Sequence, residues 1–249
     1  MNSVIVSRDG DAAAVCLARG KVNALNDGVV RELSEAFLEL EKDEGIRAVI
    51  LTGSGKFFSF GFDIPEFLSY TKDAFLGYLD AFAKLYLYLF RFPKPIIAAL
   101  NGHTIAGGCM LAIACDYRVM AEGKAKISLN EIGFGSSVFA GSVEMLRYCV
   151  GSKNAQEVLF SGRMYSAHEA HGIGLVDETA PEECLMPKAA ERAREYGAKD
   201  PAAFAGIKKL LREPVSELIL RREADSLKEF VDIWYSERTW KNLESIRIN

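Results

Sequence analysis

Hydrophobic residues dominate two short runs at the start of the chain, and the first run has an alternating, strand-like pattern. Residues 3–8 and 12–18 are rich in Val, Ala and Leu, and they flank Asp9-Gly10-Asp11. Two such runs on either side of a turn sequence are typical of a β-hairpin. Two more continuous apolar runs, Arg47-Ala-Val-Ile-Leu-Thr-Gly53 and Pro95-Ile-Ile-Ala-Ala-Leu100, have the length of buried strands. The first hundred residues therefore contain at least four predicted strands.

Segments whose apolar residues have helical spacing lie between these strands. Apolar residues three or four apart over residues 28–42 predict an amphipathic helix, with Asp27 as its N-cap. Residues 65–91 are dense in aromatic side chains and predict a long, buried helical segment. Beyond residue 100 we predict a helix beginning at Ala106-Gly107-Gly108, strands at 126–129 and 173–177, and helices at 142–149, 152–160 and 166–171.

The alternation of strands and helices ends in the last part of the chain. No strand pattern follows residue 181, and Pro201 and Pro214 interrupt what is otherwise a run of helices. The end of the chain is highly charged with a sparse apolar stripe, which is typical of a helix that packs on its own body or on another subunit. We therefore expect an α/β core at residues 1–195 and a helical region at residues 196–249.

Composition and charge argue against several classes of function. The chain has 249 residues, enough for a sizeable core, and its net charge of −4 gives no bulk attraction to nucleic acid or to an anionic membrane. No apolar run reaches the ~18 residues that a membrane-spanning helix needs. The amino-terminal residues also lack the basic and then apolar order of a signal peptide. We therefore expect a cytoplasmic protein without membrane or nucleic-acid partners.

The cysteines and histidines form no recognisable metal or disulfide pattern. Five cysteines are an odd number and are scattered without CxxC spacing, so reduced thiols are the simplest interpretation. His168 and His171 lie three residues apart, but no third metal ligand stands at a matching spacing. G-x-S-x-G, G-x-G-x-x-G after a strand and G-x-x-x-x-G-K-[ST] are also missing. We therefore expect no bound metal and no nucleotide cofactor.

Two glycine turns are candidates for catalysis. Gly61-Phe62-Asp63 and Ala106-Gly107-Gly108 each follow a run with strand character. The first N–H groups of a helix that begins at the second turn have no acceptor within the helix, and they lie at the positive end of its dipole. One N–H from each turn could bind the same developing oxyanion. The alternative is that both sequences are ordinary turns.

Glu131 is the candidate acid/base residue. It stands after the apolar run Lys126-Ile-Ser-Leu129 and before Ile132-Gly-Phe-Gly135. A carboxylate next to an apolar run can be desolvated, which raises its pKa toward the range of a useful general base. The alternative is a solvated cap at the end of a strand. His103 is likewise ambiguous, and a turn or core role is favoured for it.

Several motifs, in order along the chain, resemble those of the crotonase, or enoyl-CoA hydratase/isomerase, superfamily. Each is weak alone, but their order and spacing are specific, and together they span nearly the whole chain. The matching segments are Lys21-Val-Asn-Ala-Leu25, Phe58-Ser-Phe-Gly-Phe-Asp-Ile64, Asn101-Gly102 with Ala106-Gly-Gly-Cys109, Cys115-Asp-Tyr-Arg118, Ser161-Gly-Arg with Ser166-Ala-His-Glu-Ala, and Gly172-Ile-Gly-Leu-Val-Asp177.

The resemblance implies an α/β fold, a crotonase-like spiral of ββα units whose helical carboxy-terminal region makes contacts in a trimer or a dimer of trimers. It also implies an acyl-CoA thioester as substrate, with coenzyme A as part of the substrate and not a resident cofactor. The enolate oxygen would be held by two backbone N–H groups, which by position are those of Phe62 and Gly107. The residues that it places along the substrate are Ser59, Phe60, Gly61, Asp63, Asn130 and Lys21.

Met110 departs from the pattern of the family's hydratases, which use two glutamates. Met110 stands at the position of the first glutamate and Glu131 at that of the second. A thioether cannot exchange protons, so one acid/base group remains. One such group suffices for isomerisation, whereas hydration at full rate needs water activation and proton delivery together. The pattern is therefore most similar to the monofunctional 3,2-trans-enoyl-CoA isomerases of the mitochondrial type.

Other activities remain open within the same resemblance. The chain could be a residual hydratase, a decarboxylase or a hydrolase in which Ser136 or Ser137 supplies the missing group. It could also be a non-catalytic member that binds acyl-CoA. Phe60 replaces the alanine usual in the family's glycine loop, which would narrow or reshape the acyl pocket.

Overall fold

Strands alternate with helices as far as Ala180, and the rest of the described chain is helical. A computed structural model describes residues 2–246, so the predictions for Met1 and residues 247–249 lie outside it. The strands are β1 (Val4–Asp9), β2 (Ala12–Leu17), β3 (Ala48–Gly53), β4 (Phe57–Ser59), β5 (Ile96–Leu100), β6 (His103–Ile105), β7 (Tyr117–Ala121), β8 (Ile127–Ser128) and β9 (Glu178–Ala180). The α-helices are α1 (Asp27–Lys42), α2 (Ile64–Phe67), α3 (Lys72–Arg91), α4 (Gly107–Ala114), α5 (Ala140–Ser161), α6 (Ala167–Gly172), α7 (Leu185–Gly197), α8 (Pro201–Trp234) and α9 (Glu237–Leu243), with 3₁₀ turns at Glu131–Phe134 and Glu182–Cys184.

Consecutive strands enter two different sheets. The larger sheet has the order β1-β2-β3-β5-β7-β9, and the smaller has the order β4-β6-β8. Only β1 and β2 pair in antiparallel fashion; the other pairings between these strands are parallel. Each of the pairs β3-β4, β5-β6 and β7-β8 contributes one strand to each sheet before a helical segment follows. The chain is thus a spiral of ββα units, and the predicted fold class is confirmed.

Apolar residues on successive strand positions cover both faces of the larger sheet. Val49 and Leu51 of β3 belong to the main core, whereas Ile50 between them belongs to a second cluster with Ala189 and Ala193 of α7. Both faces of a parallel sheet are normally buried in this way, which explains the continuous apolar run that predicted β3. Helix α7 therefore packs on the sheet as part of the α/β body.

A buried cluster of charges anchors the start of α8. The ammonium nitrogen of Lys208 lies 2.7 Å from one carboxylate oxygen of Asp116, and a guanidinium nitrogen of Arg212 lies 3.0 Å from the other. Arg212 also donates to the carbonyl of Phe90 at 2.6 Å. Buried charges are tolerated when they are paired and hydrogen-bonded. Since α8 rises about 1.5 Å per residue, the far end of the helix, at Trp234, lies far from this anchor.

The predicted strand at residues 173–177 is wrong. Gly174 has a φ of +77°, and the N–H of Leu175 donates to the carbonyl of Ala170, so this stretch turns back under α6. Its apolar residues are buried there and not in a ladder. The strand β9 begins immediately afterwards and pairs with β7.

Other helix boundaries differ in detail from the predictions. Asn26, not Asp27, caps α1, because its side chain accepts from the N–H of Val29. The segment 65–91 contains two helices, α2 and α3, since Thr71 provides a new N-cap. The predicted break between 142–149 and 152–160 is confirmed as a kink inside α5 at Gly151, with a φ of +74°.

Pro214 does not end a helix. Pro201 stands in the first turn of α8, so a helix begins there, but Pro214 lies inside α8. Proline removes a hydrogen bond to the carbonyl four residues earlier. That carbonyl belongs to Leu210, which is 75% exposed within one protomer. No helix within residues 2–246 combines the length and apolarity needed to cross a bilayer.

Candidate active site

A cavity of about 240 Å³ lies where the strands of the smaller sheet end. Phe60 follows β4, Ala106 follows β6, and Glu131 is the third residue after β8. The small sheet is parallel, so all three strands deliver the residues after them to one edge, which is where ligands bind in many open parallel sheets. The wall consists of Phe60, Phe62, Ile64, Ile105, Ala106, Asn130, Glu131, Phe134, Phe230, Trp234 and Ile246.

The two glycine turns are in direct contact at this edge. A Cβ atom placed on Gly61 would lie 2.8 Å from the carbonyl oxygen of Ile105 and 3.0 Å from the backbone nitrogen of Gly107. A Cβ atom on Gly107 would lie 2.9 Å from the ring of Phe62. Contacts below 3.0 Å leave no room for a side chain. Glycine is therefore required at both positions by the close approach, as well as by the φ of +93° at Gly61.

Each turn presents one backbone N–H without a protein acceptor. Gly107 is the first residue of α4, so its N–H has no acceptor within the helix. Ala106, which precedes it, has a φ of +49° and a ψ of −117°, a conformation in which a non-glycine residue is strained. Among the hydrogen bonds within residues 2–246, neither the Phe62 nor the Gly107 N–H is a donor. Both are free for a ligand oxygen, as the oxyanion-hole prediction requires.

A polar network holds the first of these turns in place. Leu25 donates its N–H to the carbonyl of Gly61 at 2.8 Å and accepts from the N–H of Asp63 at 2.9 Å. Arg19 donates to one carboxylate oxygen of Asp63 at 2.6 Å, and the other accepts from the N–H of Glu66 at the start of α2. Both oxygens of Asp63 are thus engaged inside the protein. A place for Asp63 along the substrate stays a prediction.

Glu131 is the buried carboxyl group of the cavity. The residue is 4% exposed, and neither carboxylate oxygen has a hydrogen-bonding partner among the other described residues. Burial raises its pKa to about 8, opposed only by a contact with its own backbone N–H. The alternative of a solvated cap is therefore wrong. The carboxyl group can both accept and return a proton near neutral pH.

This burial predicts an unusual dependence of stability on pH. The folded pKa of about 8 lies above the ordinary value of 4.5, so the folded protein holds a proton that the unfolded chain releases between these values. The free energy of unfolding should fall as pH rises from about 4.5 to about 8. Glutamine does not titrate, so the free energy of unfolding of Glu131→Gln should lack this fall. The difference in stability between the two proteins should therefore shift in favour of the variant as pH rises through that window. Urea unfolding of both proteins at several pH values measures the difference, and parallel curves would contradict the burial.

The remaining residues predicted to lie along the substrate divide into two groups. Phe60 and Asn130 line the cavity, and the side-chain oxygen of Asn130 is buried without a partner among the described residues. The hydroxyl of Ser59 is used inside the protein: it donates to the carbonyl of Asn23 at 2.7 Å and accepts from the N–H of Gly61 at 3.1 Å. Lys21 is exposed and is not part of the wall. Its contact with CoA stays a prediction.

Met110 lies on α4 inside the main core, is 1% exposed and is not part of the cavity wall. Ser136, the first candidate for a replacement group, is buried, and its hydroxyl has no partner within residues 2–246. Its N–H donates to the carbonyl of Glu131 at 3.0 Å, but its side chain does not line the cavity. Ser137 donates to the neighbouring carbonyl of Val138. The described part of the chain also contains no cluster of three His, Cys, Asp or Glu side chains that could hold a metal ion.

One side of the wall comes from the far end of the chain and was missed by sequence reasoning. Phe230 and Trp234 project from the last turns of α8, and Ile246 follows α9. The ring of Trp234 packs edge-on against Phe134, which follows Glu131. The available signal was the spacing of four residues between Phe230 and Trp234, which places both on one face of a helix. Nothing in that spacing indicates which cavity the face covers.

Sequence comparisons relate this chain to proteins of acyl-CoA metabolism. The family profile described as enoyl-CoA hydratase/isomerase matches residues 9–239. A probable enoyl-CoA hydratase of Bacillus subtilis is 36% identical over 214 residues, which cover 85% of this chain and 82% of the relative. A short-chain-enoyl-CoA hydratase of Clostridium acetobutylicum is 35% identical over 207 residues, covering 82% of this chain and 78% of the relative.

Solved structures show the same architecture. Human mitochondrial delta3-delta2-enoyl-CoA isomerase superposes with a TM-score of 0.92 at 28% sequence identity, covering 97% of this chain and 95% of the human chain. The sequence relatives above are thus named as hydratases, whereas this structural neighbour is named as an isomerase. These names therefore do not decide between the two reactions.

Proposed function

This chain belongs to the enoyl-CoA hydratase/isomerase family, and we propose that it is an enoyl-CoA isomerase that shifts the double bond of a 3-enoyl-CoA to position 2. The observation that carries the proposal is the composition of the cavity wall. Among the described residues that form it, Glu131 is the single titratable side chain. One carboxyl group is enough to carry a proton between two carbons of the same substrate, with coenzyme A as part of that substrate.

In the proposed reaction the thioester oxygen accepts hydrogen bonds from the N–H groups of Phe62 and Gly107. The carboxylate of Glu131 takes a proton from carbon 2, and the electron pair spreads over a dienolate whose charge rests on the thioester oxygen. The protonated Glu131 then returns the proton to carbon 4, so the double bond moves from carbons 3 and 4 to carbons 2 and 3. No water enters, and the carboxylate is regenerated.

The surroundings of Glu131 suit this exchange. Five aromatic side chains contribute to the wall: Phe60, Phe62, Phe134, Phe230 and Trp234. They limit the access of water, which would otherwise take the proton from the carboxyl group before it reaches carbon 4. A pKa of about 8 also makes the carboxylate a stronger base toward carbon 2 than an ordinary glutamate.

Hydration of a 2-enoyl-CoA is the second candidate, because the Bacillus and Clostridium relatives are named as hydratases. Hydration needs one group to activate water and another to deliver a proton to carbon 2. The wall offers Glu131 for one task and no second titratable side chain within residues 2–246 for the other. A non-catalytic role in acyl-CoA binding would leave the raised pKa of Glu131 without a use.

The deciding experiment supplies 3-hexenoyl-CoA and 2-hexenoyl-CoA separately and follows the absorbance of the conjugated thioester. We expect a rise with the 3-enoyl substrate and no decay with the 2-enoyl substrate. Decay of the 2-enoyl thioester would make the protein a hydratase. If both signals stay flat while calorimetry detects binding of hexanoyl-CoA, the protein is a binding member and the proposal fails.

We also propose that the helical region at residues 196–249, of which residues 247–249 lie outside the described range, makes the contacts of a trimer. The support is an exposed apolar face on the first turns of α8: Ile207, Leu210 and Leu211 are 60%, 75% and 58% exposed. Apolar side chains that recur at this spacing are typical of an interface. Sedimentation velocity measures the mass, and a monomer at micromolar concentration would contradict the proposal.

We also propose a cytoplasmic location for the protein. The support is that its five cysteines form no disulfide.

A further inference from the structure

Trp234, on the aromatic side of the cavity, carries a buried hydrogen-bond donor, its indole N–H group. Trp234 is 1% exposed and lines the cavity, and its N–H group has no acceptor within residues 2–246. Buried donors are almost always paired, with protein, water or ligand, because an unpaired one loses the hydrogen bond it had in water. The unpaired indole N–H is therefore a donor that an accepting ligand atom can satisfy.

The neighbours of the indole do not provide such an atom. The rings of Phe75, Phe134 and Phe230 lie with their centroids 4.7, 6.5 and 5.7 Å from that of Trp234. Phenylalanine at this position would complete the same aromatic cluster without a buried donor.

The other unpaired polar atoms of the wall are of the opposite kind. The carboxylate oxygens of Glu131 and the side-chain oxygen of Asn130 are acceptors, and these two residues are adjacent in the chain. Trp234 comes from a different element and presents a donor. The cavity thus has acceptors on the loop that carries the proton-transfer group and a donor on the wall that α8 adds.

We propose that Trp234 is a specificity-determining residue that selects acyl groups with a hydrogen-bond-accepting oxygen beyond the reacting carbons. The inference rests on the proposed function only in placing the thioester at the Phe62 and Gly107 amides. An oxygen in the acyl chain accepts a hydrogen bond from the indole N–H. This bond replaces the one that the oxygen made to water, so its transfer into the cavity costs little free energy. A plain alkyl chain leaves the N–H buried and unpaired, and sites built to hydrogen-bond a substrate discriminate against analogues that cannot do so.

The size of the cavity sets the scale of the acyl group. The cavity volume of about 240 Å³ is well above the ~10–15 Å³ that one water molecule needs on this measure, so the cavity can hold an acyl chain. A heptanoyl group, with seven carbons and one oxygen, serves as the test ligand. Replacing one methylene of its chain by an ether oxygen adds an acceptor without adding a donor or changing the length.

The test compares heptanoyl-CoA with its 4-oxa, 5-oxa and 6-oxa analogues in calorimetric binding to the wild type, Trp234→Phe and Trp240→Phe. Trp240 is the matched control, because its indole N–H already donates to Glu244 at 3.1 Å and it is not part of the wall. For at least one analogue, the preference over heptanoyl-CoA should fall by about tenfold in Trp234→Phe. The preference should be unchanged in Trp240→Phe.

A second measurement does not depend on the folding of the Trp234 variant. The chain has two tryptophans, so the wild type gives two indole N–H signals in NMR, which Trp240→Phe assigns. The preferred oxa analogue should move the Trp234 proton downfield, and heptanoyl-CoA should not. Equal preferences in all three proteins, or equal NMR shifts with both ligands, would overturn the inference. Since these readouts are of binding, they are independent of whether 3-hexenoyl-CoA is isomerised.

Discussion

Replacing Glu131 by glutamine should lower the rate of 3-enoyl-CoA isomerisation by about 10²- to 10⁴-fold, the usual contribution of a general acid/base. The amide cannot exchange a proton with carbon. Its shape and neutrality match the protonated carboxyl group that a pKa of about 8 favours at pH 7, so the affinity for hexanoyl-CoA should change little. The measurement is kcat and KM for 3-hexenoyl-CoA, with calorimetric binding of hexanoyl-CoA beside it.

Ser136→Ala is the matched control for this variant. Ser136 is buried beside Glu131 in the chain fold, with a hydroxyl that has no partner within residues 2–246, but it does not line the cavity. Its removal should leave the isomerisation rate near that of the wild type. If Glu131→Gln kept the full isomerisation rate and Ser136→Ala lost it, the proton transfer would have to be assigned to the Ser136 hydroxyl and not to the Glu131 carboxyl group.

Gly61→Ala should lower kcat/KM by about 10²- to 10³-fold, the effect of losing one oxyanion-hole donor. A methyl group there would meet the carbonyl of Ile105 at 2.8 Å and the backbone nitrogen of Gly107 at 3.0 Å. The two turns must separate to admit it, which moves the Phe62 and Gly107 N–H groups away from a common oxygen. The measurement is steady-state isomerisation, with the urea midpoint recorded to confirm folding.

Gly77→Ala provides the comparison for the same chemical change. Gly77 is an exposed residue inside α3, and a Cβ atom there would meet nothing within 4 Å. Alanine should stabilise this helix by about 0.5–1 kcal/mol and leave the isomerisation rate unchanged. The oxyanion hole would have to be placed elsewhere if Gly61→Ala were folded and as active as Gly77→Ala.

The pattern of strands, helices and motifs was sufficient to predict the fold class. Continuous apolar runs predicted β3 and β5, and the order of the family motifs implied the spiral of ββα units. The wrong predictions concern short segments and not the fold as a whole. At residues 173–177 buried apolar residues were taken for a strand, although Gly174 turns the chain under α6. At Pro214 a helix was expected to end, but an exposed turn of α8 tolerates the lost hydrogen bond.

The site residues that belong to sequence motifs were predicted, whereas those from a remote part of the chain were not. Glu131, Phe62 and Gly107 were named from their motifs, and the structure brings the first two into one cavity wall and places Gly107 against Phe62. Trp234 was not predicted, because it stands in a charged helical region about a hundred residues from Glu131. A side chain without a motif becomes a candidate only when its neighbours in space are known.

The sequence by itself determined what depends on residues close together in the chain: the strand-length apolar runs, the glycines at tight turns and the glutamate that follows β8. Tertiary structure decided the properties that depend on distance in space. It buried the carboxyl group of Glu131 and so raised its pKa, and it pressed Gly61 against Gly107. It also brought the end of α8 over the cavity. Desolvation and hydrogen-bond partnership are set by all the atoms around a group, most of which come from remote parts of the chain.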